Sequence, residues 1–433
     1  MESGRRSFAL HLAASILLLG ACLSGAHAQI LGPEFQVNTY TTGTQYRPKV
    51  AAAGDGFVVV WESAYQDRGN TGLFGQRFGP DGQPVVGEFQ VPSSTQWSQY
   101  RPAVAAAADG GFLIVWDSSQ DGSDLGIFGR RFDAAGMPLG DEFQINSHTS
   151  GQQGFPRIAG DGAGNFVVVW MSLAQDGSYE GVFAQRFDAG GVPMGSEFQV
   201  NGYTTGGQYY PRVAADGRGD FVVVWNEFER DGSATGVFGR RFDATGSPLG
   251  PDFQVNTLTW GDQGVADVAC DSPGDFVVAW SGPSEVYSSN NDALGQRFDA
   301  DENRVGGEFR INTFTEYNQR PEGVAFDAVG NFVVVWGSYQ DGSEGGVFAQ
   351  EFDSASRRVG SELRVNSFTL GSQWGAAVAS MGTGHFIVVW QSFGQDGSGW
   401  GVFGQRLEFP LFHDGFEAGD ACAWSAVVGG GCP

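Results

Sequence analysis

Five consecutive apolar positions, Phe57-Val58-Val59-Val60-Trp61, mark the pattern on which the chain is built. Later copies of this run end at Trp116, Trp170, Trp225, Trp280, Trp336 and Trp390, in steps of 55, 54, 55, 55, 56 and 54 residues. A short apolar run with β-branched centres reads as a strand buried on both faces. Seven such runs at near-constant spacing predict seven copies of one supersecondary unit. The first copy shows four strand signals: Pro48–Ala52, Phe57–Glu62, Leu73–Phe78 and Glu88–Val91. Gly-Asp-Gly and Pro-Asp-Gly turns lie between them, where antiparallel strands reverse. Four antiparallel strands in about 55 residues, repeated seven times, predict an all-β, seven-bladed β-propeller. A parallel β-helix is the rival, but its coils are much shorter.

The two ends of the array predict how the ring closes. Glu34-Phe35-Gln36-Val37-Asn38 has the sequence of a fourth strand with no first three before it. Val402–Leu407 is a third strand with no fourth after it. The N-terminal strand is therefore expected to complete the last blade, which removes the exposed sheet edges. Residues 29–409 form the predicted propeller, preceded by a leader over 1–28 and followed by a tail over 410–433.

The leader has Arg5 and Arg6, an apolar run from Phe8 to Leu19, and Ala26-His27-Ala28 as a small-x-small cleavage pattern. Leu19-Gly20-Ala21-Cys22 also resembles a bacterial lipobox, which implies lipidation at Cys22 as the second reading. Secretion or cell-surface display is the expectation, and no later run has the ~20 apolar residues of a membrane helix. The tail pairs Cys422 with Cys432 as an expected local disulfide. Its His413–Ser425 segment resembles the Asp-Gly-Phe-Glu-x-Gly-Asp…Trp-Ser ending of exported proteobacterial proteins, which implies export. Cys270 takes a repeat position held elsewhere by small or apolar residues and is expected to be packed and inert.

Charge narrows the partners. The formal net charge is −25, and Lys49 is the sole lysine. Such a chain lacks the basic surface that nucleic-acid phosphate requires, so no nucleic-acid partner is expected. A monomer is expected. Arg77, Arg131, Arg186, Arg241, Arg297 and Arg406 recur in the third strand, with Glu351 in the sixth copy, and read as a repeated scaffold contact.

Gln-Asp-Gly-Ser, with Arg replacing Gln in one copy, marks the loop after the second strand at Asp121, Asp176, Asp231, Asp341 and Asp396. With the Gly-Val-Phe that follows, it resembles the "QDGSGxGVFGQRFD" repeats of large secreted bacterial proteins, across most of residues 34–409, and also the Asp-box hairpin of some propellers. The resemblance implies a propeller array. These carboxylates cap turns, or bind Ca²⁺ as the one candidate cofactor, although one carboxylate per loop falls short of the six to eight oxygens calcium takes. No other cofactor is expected.

The connection entering each first strand carries one Gln per copy (Gln45, Gln99, Gln153, Gln208, Gln263, Gln319 and Gln373), a regularity that points to backbone bonding. Around it vary Tyr46, Trp97, Tyr100, Tyr209, Tyr210, Trp260, Tyr317 and Trp374, aromatic faces suited to a glycan or protein ligand. Arg47, Arg101, Arg157, Arg212 and Arg320, with Lys49, fall at or beside the starts of first strands, where they either ring the channel for an anion or pair with carboxylates such as Glu62 and Asp117. Repeat five carries Asp267 instead. No zinc spacing, nucleophile elbow or phosphate loop is present. The expected function is therefore an exported, non-catalytic binding module. A propeller glycan hydrolase or lyase is the alternative, with Glu62, Asp117, Glu227 and Glu229 as first candidates for a carboxylate pair, and a calcium-dependent surface repeat protein is the third.

Overall fold

The computed structural model describes residues 29–409, apart from 68–69, 123 and 285–289 and the side chains of 265 and 266. The leader, the lipobox at Cys22 and the Cys422–Cys432 pair lie outside them. The described residues form seven four-stranded antiparallel sheets and no helix, so no segment among them is a helix long and apolar enough to cross a membrane. In blade one the order is Gln45–Ala53, Gly56–Ala64, Thr71–Phe78 and Phe89–Gln90, and five further blades repeat it.

The second strand is buried as the apolar run predicts: Phe57, Val58, Val59, Val60 and Trp61 are all fully enclosed, and so are the other six Trp residues. Val58 and Val60 pack toward blade two, and Val59 and Trp61 toward blade seven, so alternate side chains serve different interfaces. Loss of one such Trp side chain costs about 3–5 kcal/mol in a core of this kind. Phe57 stacks on Phe78 at 5.1 Å, and Phe35 of the neighbouring outer strand leans on Phe78 at 5.6 Å. The repeated glycine of the third strand makes room for that outer ring. A Cβ on Gly75 would lie 2.8 Å from the ring of Phe89, and on Gly404 2.8 Å from Phe35.

The N-terminal strand closes the ring. Gln29–Gln36 pairs antiparallel with Trp400–Glu408, Ile30 opposite Leu407 and Phe35 opposite Gly404, as the outer strand of blade seven. Asn38 then accepts the Val402 amide at 2.7 Å.

A carboxylate at the start of each outer strand clamps one blade to its neighbour. Glu88 accepts the backbone N–H of Thr39, Glu142 that of Ser93, Glu197 that of Ser147 and Asp252 that of Gly202, at 2.6 to 3.1 Å. Glu34 does the same across the closure, on the amide and hydroxyl of Ser367. The Gln of the Gln-Asp-Gly-Ser loop grips the other oxygen of this carboxylate, as in Gln175 to Glu197 and Gln395 to Glu34. Arg230, the one departure, bonds Asp252 at 3.0 Å.

The third-strand arginines are scaffold groups, but mostly on carbonyls. Arg77 reaches the Ala53 carbonyl, Arg131 Gly190, Arg186 Thr245 and Arg406 Pro80, at 2.6 to 3.0 Å, while Arg297 pairs with Asp275 at 3.1 Å. Glu351 takes this place in blade six with both carboxylate oxygens buried and unpartnered. Cys270 is a free thiol packed beside a blade-four/five cluster, and burial raises its pKa, which leaves it unreactive.

Candidate functional site at the channel mouth

Each inner strand enters through the same bulge. In blade one the register shifts between Tyr46 and Lys49, and equivalent shifts occur in the other six blades. In the first four blades the bulged residue is Arg47, Arg101, Phe155 or Tyr210, each with φ between 52° and 58°. Left-handed backbone is costly for such side chains. The bulge re-aims them relative to a regular strand.

In three blades the residue after the second-strand Trp accepts an amide from the next blade's bulge. Glu62 accepts the Arg101 amide at 2.7 Å, Asp117 the Phe155 amide at 3.1 Å, and Gln391 the Arg47 amide at 2.8 Å. Glu62 also holds the Arg47 guanidinium at 3.1 Å and Asp117 that of Arg101 at 2.7 Å. Arg101 in turn lies 4.0 Å over the Phe155 ring. Arg47 and Arg101 are therefore paired within their own blades, and Glu62 and Asp117, which also hold the next blade's amide, are buried latches rather than a catalytic pair. Burial pushes Asp117 up to about 6, against the pull of Arg101. Glu227 is also occupied, on the Trp225 indole N–H and Arg230 at 3.0 Å each.

Deeper in the channel the third position of the bulge carries Lys49, Arg157, Arg212 and Asp267, with Glu322 beside them. A cavity of about 420 Å³ opens there, lined by Lys49, Arg212, Gly264, Asp267, Ser281, Asn291, Asn318, Arg320, Pro321, Glu322, Gly375 and Ala376. Its location follows from departures in the repeat. Gly264 stands where blades one, two and four carry Tyr46, Tyr100 and Tyr209 and blade seven carries Trp374. A Cβ at Gly264 would meet nothing nearer than Ser281 at 3.8 Å. Glu322, third after its Gln, stands where four repeats carry proline.

Asp267 pairs with Arg212 at 3.5 Å and accepts the Val324 amide at 3.1 Å. Glu322 accepts the Gly375 amide at 3.1 Å and the Ala376 amide at 2.6 Å. Among the described residues Lys49 has neither hydrogen bond nor ion pair within 4 Å, and Arg157 donates only to the Pro156 carbonyl, at 2.7 Å. Burial, then repulsion by Arg157 and Arg212, brings Lys49 down to about 7. Burial raises Asp267 against Arg212, and raises Glu322 against its two amides. The cavity thus combines an amine that loses its proton near neutral pH with two carboxyls whose proton affinity burial raises, a pairing suited to proton transfer.

The rim aromatics are divided. Trp97, Tyr210, Trp260 and Tyr317 are exposed, and Tyr46, Tyr100, Tyr209 and Trp374 are half-buried. Phe155 and Tyr210 meet edge-on at 5.1 Å on one side of the channel, and Tyr339 and Trp374 at 5.1 Å on the other. Tyr46 lines a separate groove of about 540 Å³ with Tyr65 and Trp400. The repeated Gln residues are fully buried, as in Gln45 between Asn38 and the Thr42 carbonyl.

The loop aspartates order their own turns. Asp176, Asp231, Asp341 and Asp396 each accept the amide two residues on at 3.0 to 3.1 Å, and Asp121, Asp176 and Asp231 accept from an outer-strand Gln at 3.0 to 3.1 Å. Among the described residues no group of three or more His, Cys, Asp or Glu is arranged to hold a metal ion.

Glu322, Gly264, Asn291 and Asn318 were not among the residues singled out in the sequence. Their signal is departure from the repeat, whereas repetition itself drew attention to the clamps and turn caps.

No family model matches the chain, and no curated protein does. Solved structures with similar shape include a protein of unknown function from Dyadobacter fermentans DSM 18053, at 12% identity and TM-score 0.53, over 88% of this chain and 99% of that one. They include the polysaccharide lyase Uly1, at 11% identity and TM-score 0.54, over 89% and 94%. The alpha-L-arabinanase of Penicillium chrysogenum, complexed with arabinobiose, is similar at 13% identity and TM-score 0.50, over 72% and 95%. The likeness is one of fold. It nevertheless corrects the expectation of a non-catalytic binding module. Propellers of this shape include a polysaccharide lyase and an arabinanase.

Proposed function

We propose that this protein is a carbohydrate-active enzyme, a glycan hydrolase or lyase, whose active site is the axial cavity beside blade five. The observation that carries this reading is the cluster of Lys49, Arg212, Asp267 and Glu322 on the cavity wall, where Gly264 leaves out the aromatic ring that four blades carry. Arg212 supplies a fixed positive charge, Asp267 holds it in place, and Lys49 and Glu322 exchange protons with the substrate. Exposed aromatics around the mouth, such as Tyr210 and Tyr317, provide faces for sugar rings on either side. The similar lyase and arabinanase support the reading through their fold alone.

The test is release of new reducing ends from a panel of neutral and acidic polysaccharides by the chain from Gln29 onward. At least one glycan is expected to be cut, and Arg212→Gln is expected to lower that rate by roughly 10²-fold, the usual effect of losing one electrostatic contact in a site. Absence of cleavage across the panel would refute the enzyme reading. A rate unchanged in Arg212→Gln would move the site elsewhere.

A further inference from the structure

Resting on that reading, we infer that the cavity takes a uronate-containing polysaccharide and cleaves it by β-elimination, with Lys49 as the base and Glu322 as the proton donor. Charge points to the substrate. The protein carries −25 overall, yet the channel gathers the guanidinium groups of Arg157, Arg212 and Arg320 around Lys49, against only Asp267 and Glu322. Arg212 alone of the three guanidinium groups has an ion pair within 4 Å among the described residues. Guanidinium groups left without a carboxylate partner call for an anion, and a carboxylate is one that a guanidinium binds bidentately.

The disposition of the carboxyls points to the reaction. Hydrolysis with retention or inversion needs one carboxylate free to act as nucleophile or to activate water. Asp267 is held by Arg212 and the Val324 amide, and Glu322 by two amides of blade seven. The amine of Lys49 is the unengaged basic group. In a uronate the carboxyl group acidifies the neighbouring C5–H, and more so when Arg320 and Arg212 neutralise it. Lys49 removes that proton. The C5–H electron pair becomes the C4–C5 double bond, the C4–O bond breaks, and the departing oxygen takes the proton of the Glu322 carboxyl. Proton return from Lys49 to Glu322 through water restores both groups. No oxidant, metal or water addition is required.

The test compares polygalacturonate, alginate and hyaluronate with their carboxyl-reduced forms. It reads reducing ends, which any cleavage gives, and ultraviolet absorbance of the unsaturated uronate, which elimination alone gives. On one acidic polymer both signals should rise together, and the carboxyl-reduced form should give neither. Lys49→Ala should lower the rate about 10³-fold with Tm unchanged, and Lys49→Arg should not restore it. Because Lys49 is the sole lysine, ε-amine labelling against pH reads its titration directly in the folded protein, and its midpoint should match the rising limb of the rate profile. An oligouronate should protect it from labelling.

Reducing ends without absorbance, or equal cutting of the reduced polymers, would overturn the inference and leave the broader enzyme reading intact. Protection without any cleavage would overturn the elimination step. Neither cleavage nor protection would overturn both. Full activity in Lys49→Ala would remove Lys49 as the base.

Discussion

Removal of residues 29–36 is expected to open the ring and lower the melting temperature by roughly 10 °C or more, with aggregation on heating. Three losses coincide. The third strand Trp400–Glu408 is left with an unpaired edge along the register that now runs from Gln29 to Gln36. Phe35 is withdrawn from Phe57 and Phe78 at the interface of blades seven and one, and deletion of a packed Phe alone costs about 3–5 kcal/mol. Glu34 no longer caps the Ser367 amide or receives Gln395, so one of the repeated inter-blade clamps is lost at the seam. Differential scanning calorimetry of the chain from Gln29 and the chain from Val37 gives the comparison. Equal melting temperatures would mean that the seam is not what closes the ring.

The second large effect concerns Glu351. Six blades place arginine at this point of the third strand, and blade six buries a carboxyl with no hydrogen-bond partner on either oxygen. Burial first, then Asp327 and Asp353, push it up to about 8 from an ordinary value of 4.5. A carboxyl whose folded pKa is raised binds its proton more tightly in the native state than in the unfolded chain. Stability contributed by this group is therefore full below about 4.5, falls as pH rises through the window from 4.5 to about 8, and is lost above it. Glu351→Gln should leave the melting temperature little changed near pH 5 and raise it by several degrees near pH 9. Glu351→Arg, which restores the repeat beside Asp327 and Asp353, should raise it at least as much near pH 9. A pH dependence of Tm identical in Glu351→Gln and the parent chain would show that Glu351 carries no such burden.

How much of this could be read from the sequence depended on repetition. Phe57–Trp61 and its copies fix strand, burial and blade count, because seven equal spacings leave little room for another fold. Glu34–Asn38 at one end and Val402–Leu407 at the other fix the closure for the same reason. The interior of the channel was less legible. The bulge that brings Lys49, Arg157, Arg212 and Asp267 to one level shifts the strand register, and no periodicity announces it. Arg47 and Arg101, which look alike in sequence to Arg157 and Arg212, are instead drawn to Glu62 and Asp117 by one pleat of difference along the strand. Glu322 is an exception to its column, and Gly264 shares its column with Gly154 and lacks the aromatic ring that four blades carry there. In a ring of near-identical blades, scaffold chemistry recurs and a single site must be asymmetric, so the exceptions carry the functional information.

Placement of the active site in the axial cavity is tested most directly by Gly264→Tyr. The substitution installs the residue that blades one, two and four already hold at this position, and places it on the wall of the 420 Å³ cavity that Lys49 and Arg212 also line. Measured on whichever polysaccharide the parent chain cuts, the expected result is loss of at least about 10²-fold in rate with an unchanged melting temperature. Undiminished cleavage by a folded Gly264→Tyr protein would contradict the assignment of the cavity as the active site.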